Sequence, residues 1–349
     1  MIYLKSFTYR TYEWVLTKVY FNRQSLVVGQ NAAGKTKLLE SISTVINTIL
    51  TKDLNWKGIF TFTAQLEFDG DIALQYNIEF EEGKIVLEKL VDVNRNKILV
   101  SRTSQTCFFY DEDNIALPEK STALVAKQDI VKYPEAASVM QWAQTTRSIT
   151  FSLLHIDKFH QMHLGNIGMD EMFEALSSKE RQLILQYMND LNYHLEDINE
   201  RNLGDNFKYI EIKEEDVHHS FPMFYLSNGM YRVLYILFYM LYISKQNVKC
   251  IFIDDLGEGL DYDRSTKLGK IVFDFCTEHS IQLIATSNDN FLMNVVPLHN
   301  WIILTRKSTT VEAISAATHK DLFDKFTKTG LRNFDILKTD FIERNKIAR

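Results

Sequence analysis

The sequence predicts an α/β protein with a mostly parallel core sheet, an antiparallel β-rich subdomain and an inserted helical subdomain. Fully apolar strands alternate with helices toward both ends of the chain, which is typical of a parallel sheet covered on both faces. Short β-rich runs separated by charged or glycine-bearing turns occupy residues 60–110, and helical spacing of apolar residues dominates residues 123–202.

The first part of the predicted core consists of three strands and a helix. We predict strands at Ile2–Phe7, Trp14–Phe21 and Ser25–Val28, the last of which ends at a glycine. Apolar residues recur at helical spacing through Lys37–Leu50, which predicts the first helix. A strand, a turn and a helix therefore follow one another directly here.

The middle of the chain is predicted to be helical before the chain returns to the core. Met172–Leu176 and Ile184–Leu195 are the clearest helical segments, and residues 207–212 are expected to form a strand. A long apolar helix begins at Gly229, and the apolar strand Cys250–Ile253 follows it.

The remaining core elements repeat the same alternation. The helix Arg264–Cys276 leads to the strand Ile281–Ala285, and Trp301–Leu304 is a further apolar strand. The predicted parts of the chain are an amino-terminal core at 1–59, an antiparallel β subdomain at 60–122, a helical subdomain at 123–225, a carboxy-terminal core at 226–310 and a helical extension at 311–349.

Composition favours one large unit in a reducing compartment. The 349 residues carry a formal net charge of −6, which weakens nucleic-acid binding as a function without excluding it. The three cysteines are widely spaced, as in proteins without disulfides. The chain starts without a signal-peptide pattern, and its longest apolar run, Val233–Ile243, is shorter than the roughly 20 residues that cross a bilayer. We therefore expect a cytoplasmic protein without a membrane segment.

The strongest functional motif is the phosphate loop Gly29–Thr36, GQNAAGKT, which matches GxxxxGK[ST] between a strand and a helix. Amides of such a loop and the following helix N-terminus carry partial positive charge toward a bound phosphate. Lys35 is expected to reach the β- and γ-phosphates, and the Thr36 hydroxyl to bind Mg²⁺. The predicted nucleotide-binding residues are Gly29, Gln30, Asn31, Ala32, Ala33, Gly34, Lys35, Thr36 and Lys37.

A second motif is the acidic strand end, where Asp254 and Asp255 follow the apolar strand Cys250–Ile253. In proteins with a phosphate loop, an aspartate at this position holds magnesium beside the phosphates. We therefore predict Asp254 as a magnesium residue and Asp255 as the group that orients the attacking water.

Two further segments resemble motifs of ABC ATPases and stand in the ABC order. The signature segment Leu226–Met230, LSNGM, resembles LSGGQ, and Asp254–Asp261, DDLGEGLD, resembles DEPTSALD. The resemblance implies ATP and Mg²⁺ as cofactors, and a homodimer joined through ATP, with a higher oligomer left open. It further implies that Ser227, Asn228 and Gly229 of one chain cap the γ-phosphate held by the other. Asp261, in the D-loop at residues 256–261, would report occupancy across the interface.

Within that class, residues 29–42, GQNAAGKTKLLESI, are similar to the GxNGAGKTNLLEAI form of RecF, SMC and OLD-type ATPases. The overall sequence texture resembles the compact ABC ATPases of bacterial anti-phage systems, such as the ATPase subunit of PARIS-type defence. That resemblance implies an ATP-dependent dimerisation switch that regulates a separate nuclease or toxin. The alternatives are a RecF/SMC-like ATPase that repairs or clamps DNA, and a nucleotide-binding subunit of a transporter.

Some positions depart from the ABC pattern. Asp255 stands where glutamate is usual, and its shorter side chain predicts slow turnover. Glu258 is a candidate to substitute in part, although a role in the D-loop turn is the favoured interpretation. The usual switch histidine is replaced by Asn288, with Ser287 as the neighbouring option; asparagine can bond the γ-phosphate but carries no charge. Gln128 is the first choice for the glutamine that contacts the metal in the Q-loop. These departures favour a switch over a fast motor.

Weaker candidates are three histidines and two tyrosines. His155, His160 and His163 match no zinc-site spacing and are more typical of solvated or capping residues. Tyr9 and Tyr12 are candidates for stacking on adenine, and the residues alone do not choose between them.

Overall fold

In the computed structural model, the described residues form one large sheet, a small second sheet and eleven α-helices. The described residues are 2–54, 61–103, 106–110, 112, 116–151, 168–202, 208–339 and 341–346. The strands are β1 (Ile2–Arg10), β2 (Val15–Tyr20), β3 (Gln24–Val28), β4 (Thr61–Gly70), β5 (Leu74–Glu81), β6 (Lys84–Asp92), β7 (Lys97–Thr103), β8 (Cys107–Phe109), β9 (Thr146–Ile149), β10 (Leu195–Asn202), β11 (Lys208–Glu214), β12 (Phe221–Pro222), β13 (Cys250–Ile253), β14 (Gln282–Thr286), β15 (Trp301–Lys307) and β16 (Thr310–Ser315). The helices are α1 (Lys35–Leu50), α2 (Ala123–Ala126), α3 (Pro134–Thr145), α4 (Met169–Ala175), α5 (Ser178–Asp190), α6 (Asn228–Ser244), α7 (Tyr262–Glu278), α8 (Asn290–Val295), α9 (Lys320–Thr327), α10 (Asp335–Lys338) and α11 (Phe341–Lys346).

The large sheet has the strand order β8-β7-β6-β5-β4-β1-β2-β16-β15-β3-β14-β13-β9. Strands β15, β3, β14, β13 and β9 run parallel, whereas β8 to β4, β1 and β2 are antiparallel neighbours. The antiparallel strands predicted after the first helix therefore extend the core sheet through β1. Strands β10, β11 and β12 form the small sheet.

Strand β13 shows why the core is mixed α/β. All four of its residues are buried, because helices cover both faces of the parallel sheet. Ile251 and Ile253 pack in one apolar cluster with α6, and Phe252 packs in the other with α1. Although α6 is largely apolar, no helix of the described ranges has both the length and the apolar composition needed to cross a membrane.

The middle of the chain contains strands where the sequence predicts helix. Residues Thr146–Ile149 form β9, which pairs with β13 in the register Cys250↔Thr146. Only four residues long, β9 depends on that pairing and shows no local period of its own. Helix α5 ends at Asp190 instead of reaching Leu195, because Leu195 starts β10 and pairs with Glu214 of β11.

The segment after Ser315 is part of the core and reaches the phosphate loop. Phe326 and Ile336 are buried in the cluster that also contains α6, and the Phe341 ring meets Phe326 edge-on at 5.1 Å. A cavity of about 410 Å³ is lined on one side by Gly29–Ala33 and on the other by residues of α10 and α11. The sequence assigned no role to this segment.

Candidate functional site

The phosphate loop connects β3 to α1 and is shaped by its glycines. A Cβ on Gly29 would lie 2.6 Å from the Leu304 carbonyl oxygen, so only glycine fits there. Gly34 precedes α1 with a φ of +102°. Lys35 is buried, and its Nζ donates to the carbonyl oxygens of Gly29 at 3.0 Å and Gln30 at 3.2 Å. Burial lowers the pKa of Lys35, although the charges of the two aspartates of the acidic strand end oppose this.

Ala32 carries backbone strain at the rim of this loop. Its φ is +62°, in the left-handed region that residues with a Cβ atom rarely adopt. In the motif form that this loop resembles, glycine stands at the same position. Gln30, Asn31 and Ala32 are exposed, so the rim of the loop is open to a ligand.

Asp254 lies next to the phosphate loop at the carboxyl end of β13. Its side chain is buried, and its Oδ1 lies 3.3 Å from the Thr36 hydroxyl. The Thr286 hydroxyl donates to the same oxygen at 2.5 Å, and the Asp254 N–H donates to the Ile149 carbonyl at 2.9 Å. Parallel strands bring these residues together, because their carboxyl ends meet at one edge of the sheet.

Asp255 is half-buried and adopts a φ of +52°. Its N–H donates to the Thr286 hydroxyl at 2.8 Å, which holds the backbone of the acidic strand end. Burial, followed by the charges of Asp254 and Glu258, raises the pKa of Asp255 to about 6. A carboxyl group that titrates near neutral pH beside a phosphate loop is suited to accept a proton or to orient water.

The structure at the end of β14 shows which of the two candidate switch residues, Asn288 or Ser287, is available to a ligand. Ser287 is fully buried, and its hydroxyl donates to the Leu256 carbonyl at 2.7 Å, so it is engaged within the fold. Asn288 is exposed immediately beyond it. The Ser287 N–H bonds Val27 of β3, so Asn288 extends from the strand next to the phosphate loop. Of the two, only Asn288 is available to a ligand.

The signature segment opens α6 and packs against the D-loop of the same chain. The Ser227 hydroxyl caps the helix by accepting from the Met230 N–H at 3.2 Å. Ser227 and Asn228 are exposed, whereas a Cβ on Gly229 would lie 3.0 Å from the Gly259 carbonyl oxygen. Among the described residues, no hydrogen bond joins Ser227 or Asn228 to the phosphate loop of their own chain.

An ion pair ties α6 to the D-loop. Arg232 Nη1 lies 2.6 Å from Glu258 Oε2, and the Arg232 side chain is mostly buried. The carboxylate of Glu258, a predicted catalytic group, is thus bound to arginine. Asp261 caps α7 by accepting from the Arg264 N–H at 3.1 Å, and the Arg264 guanidinium also bonds the Leu191 carbonyl oxygen. These contacts hold the D-loop between α6 and α5.

Gln128, the predicted Q-loop residue, is exposed in the loop between α2 and α3. Within the described residues, no hydrogen bond or ion pair joins it to Thr36 or Asp254, and its contact with the metal stays a prediction. The strand next to β13 is β9, whose last residue, Ile149, accepts from the Asp254 N–H. The sequence did not reveal this, because β9 itself was not predicted. His155, His160 and His163 lie outside the described residues, which contain no cluster of metal-binding side chains.

A second cavity adjoins the phosphate loop along α1. It has a volume of about 410 Å³, and its lining includes Tyr12, Lys37 and Glu40. Tyr12 is 85% exposed, whereas Tyr9 is buried and stacked on Phe62 at 5.4 Å. Tyr12 is therefore the tyrosine available to stack on a ligand.

Sequence reasoning missed Thr286 and Arg232. Thr286 holds both aspartates of the acidic strand end, and the only local signal is a polar residue at the end of an apolar strand. Arg232 stands one helical turn after Asn228 of the signature segment, which could have suggested that the two share a face.

Comparisons with known proteins support the fold. No protein-family model and no curated protein sequence matches the chain. The Smc head bound to the C-winged helix domain of ScpA superposes with a TM-score of 0.51 at 12% identity, covering 89% of this chain and 97% of that one. The Smc head with an extended coiled coil bound to the C-terminal domain of ScpA, from Pyrococcus furiosus, gives a TM-score of 0.50 at 10% identity, covering 94% and 100%. The chain thus has the fold of an Smc head domain.

Proposed function

We propose that the protein is an ABC-type ATPase in which ATP joins two copies of the chain. The phosphate loop of one copy binds the triphosphate, and the signature segment of the other caps the γ-phosphate. The observation that carries this proposal is the separation of the two half-sites. Lys35, Thr36, Asp254 and Asp255 converge at one edge of the sheet, while Ser227 and Asn228 are exposed at the start of α6 and, among the described residues, form no hydrogen bond with the phosphate loop of their own chain.

The oxygen donors at the sheet edge fit a magnesium ion. Thr36 and Asp254 present a hydroxyl and a carboxylate 3.3 Å apart, and Mg²⁺ prefers such ligands together with phosphate oxygens and water. When bound, Mg²⁺ neutralises charge on the phosphate oxygens. Thr286 holds the Asp254 carboxylate in place by donating to its Oδ1.

Side chains and the N-terminus of α1 bind the phosphates, orient the attacking water and hold the base. Lys35 leaves the carbonyls of Gly29 and Gln30 to contact the β- and γ-phosphates, and the helix N-terminus of α1 adds its partial positive charge. Asp255 orients the attacking water, and Asn288 bonds the γ-phosphate without adding charge. Tyr12 stacks on the base in the cavity along α1. Loss of the γ-phosphate removes the contact that both copies share, which releases the dimer.

Mixing two inactive variants tests the shared site. Lys35→Ala removes the phosphate contact, and Ser227→Arg blocks the cap. In a randomly paired equimolar mixture, about one quarter of the sites combine an intact loop with an intact signature segment, so ATPase activity should recover to about that fraction. The control replaces Ser227→Arg with a chain that carries both changes, which leaves no intact site. Absence of recovery in the test mixture would refute the shared site.

The biological role has two candidates. The SMC-head fold favours a RecF/SMC-like ATPase, for which ATP-dependent and salt-dependent DNA binding is the expected result. Regulation of a partner nuclease or toxin in anti-phage defence rests on the resemblance of the motifs alone. Capture of such an effector by the ATP-bound protein, but not by the Lys35→Ala variant, would support the second role. The fold gives no support to a transporter subunit.

A further inference from the structure

Three aromatic side chains are exposed among the described residues, and all three adjoin the candidate nucleotide motifs. Tyr12 lines the cavity along α1 beside the phosphate loop. Tyr262 directly follows the D-loop, and Tyr225 stands two residues before Ser227 of the signature segment. The exposed rings are thus divided between the two half-sites, with Tyr12 at one and with Tyr225 and Tyr262 at the other.

Tyr225 has an unpartnered ring. Its side chain is 78% exposed and, within the described part of the chain, forms no hydrogen bond or ring contact. The Tyr262 ring, in contrast, meets Phe291 edge-on, with centroids 5.3 Å apart. Tyrosine combines a large apolar face with a polar tip and is enriched at binding surfaces. Of the two exposed rings near the signature segment, Tyr225 is therefore the one available to a ligand.

The backbone of Tyr225 is fixed by its neighbours. Tyr225 ends the 3₁₀ turn Met223–Tyr225, after which the Leu226 N–H donates to the Met223 carbonyl at 3.1 Å. Met223 and Leu226 are both buried in the apolar cluster that contains α6. The exposure of the ring is therefore set by a packed turn, so little conformational entropy is lost when the ring binds.

Tyr225 and Ser227 face the same side of the chain. Leu226 lies between them in an extended conformation, with a φ of −61° and a ψ of 148°, and it is buried, whereas both of its neighbours are exposed. In an extended segment, residues two apart point the same way. Two extended residues span at most about 7 Å. A nucleotide that approaches Ser227 from a second chain therefore comes within reach of the Tyr225 ring.

The two parts of this surface suit different parts of a nucleotide. Ser227, Asn228 and the N-terminus of α6 offer a hydroxyl, an amide and partial positive charge, which suit phosphate oxygens. An aromatic ring carries no charge for a phosphate, but it stacks on the face of a base. Tyr12 covers only one face of a base, which leaves the other face for a second ring.

We propose that Tyr225 belongs to the half-site that acts in trans and stacks on the base of the ATP held by the other copy. This role rests on the ATP-joined dimer proposed above. The base then lies between Tyr12 of the copy that binds the triphosphate and Tyr225 of the copy that caps it. Tyr225 thus adds recognition of the nucleoside to the recognition of the γ-phosphate by Ser227.

Placing the substitution in one chain of the complementing mixture tests whether Tyr225 acts in trans. In a mixture of Lys35→Ala and Ser227→Arg chains, the intact site uses the phosphate loop of the Ser227→Arg chain and the signature segment of the Lys35→Ala chain. Tyr225→Ala in the Lys35→Ala chain should raise the KM for ATP of the recovered activity by at least roughly fivefold, the smallest effect expected from the loss of a base stack. The same substitution in the Ser227→Arg chain should leave that KM unchanged, because the signature segment of that chain is already blocked.

A ligand without a base and a conservative variant identify the contact. Inorganic tripolyphosphate competes with ATP for the phosphate loop, and its inhibition constant should be the same with and without Tyr225→Ala in the Lys35→Ala chain. Tyr225→Phe in that chain keeps the ring and should preserve the KM for ATP. The thermal midpoint of each variant shows that it is folded.

The outcomes separate the role of Tyr225 from the shared site itself. If the parent mixture recovers no activity, the shared site and the role of Tyr225 are both refuted. If the parent mixture recovers and Tyr225→Ala has the same effect in either chain, or no effect in either, the role of Tyr225 alone is overturned. It is also overturned if Tyr225→Ala raises the inhibition constant of tripolyphosphate as much as the KM for ATP, because the ring would then contact something other than the base.

Discussion

Arg232, on the helix that the signature segment opens, forms an ion pair with Glu258 in the D-loop, with Nη1 and Oε2 2.6 Å apart. Both charges act on Asp255, because Glu258 raises its pKa and Arg232 lowers it. The segment proposed to cap the partner's ATP is thereby connected to the residue proposed to orient water. A substitution in the signature helix or the D-loop that alters this ion pair should therefore change the pKa of Asp255.

The pH profile of hydrolysis should move in opposite directions when the two charges are removed. Asp255 acts as a carboxylate, so activity should rise with pH through its pKa of about 6. Glu258→Gln removes a negative charge and should shift the rise to lower pH, whereas Arg232→Met should shift it to higher pH. The measurement is kcat against pH with saturating ATP. Shifts in the same direction would contradict this electrostatic account.

Asp255→Asn should separate ATP binding from hydrolysis. Asparagine keeps the shape and tolerates the left-handed backbone, but it cannot orient water as a charged group. We expect kcat to fall by roughly 10²–10⁴-fold, with ATP affinity retained. The variant should then accumulate as a dimer in ATP, which light scattering coupled to gel filtration measures. A monomer that still binds ATP would count against the ATP-joined dimer.

The same substitution should alter the pH dependence of stability. The folded pKa of Asp255 is about 6, above the ordinary value of 3.8, so the folded state holds more protons between these pH values. Stability contributed by this group therefore falls as pH rises from about 4 to about 6. In Asp255→Asn, the free energy of unfolding should fall less over this pH range. At pH 7 the variant should therefore unfold at a higher urea concentration than the wild type. Parallel curves for the two proteins would show that Asp255 is not the titrating group.

Ala32→Gly should stabilise the protein without ATP. A left-handed φ of +62° costs a residue with a Cβ about 1 kcal/mol, and glycine avoids this cost. Urea unfolding of the variant should show a gain of about that size. Ala33→Gly is the matched control. Because φ at Ala33 is not positive, this substitution relieves no left-handed backbone strain and should give no gain in the free energy of unfolding.

Tyr12→Ala should weaken nucleotide binding through the base. Stacking on an aromatic ring contributes about 1–3 kcal/mol, so Kd for ATP should rise roughly 5- to 150-fold. Binding of inorganic tripolyphosphate, which has no base, should be unchanged in the same titration. Tyr9→Ala is not a useful comparison, because Tyr9 is buried among aromatic rings. The control is Tyr20→Ala, at a half-buried tyrosine at the end of β2 and outside this cavity.

The contiguous motifs could be predicted from the sequence, since their geometry is local. The phosphate loop consists of consecutive residues whose amides and glycines define the site, and it leads into α1 as expected. The acidic strand end is likewise a property of one apolar strand. The alternation of apolar strands and helices was sufficient for the fold class.

Only the tertiary structure decided the contacts between distant segments. Thr286 meets Asp254 across 32 positions of sequence, and Arg232 meets Glu258 across 26. Strand β9 forms because β13 provides a partner strand, and its four residues carry no pattern that would predict it. The physical reason is that register and pairing in a sheet depend on the neighbouring strand, whereas the conformation of a glycine-rich loop depends mostly on its own residues.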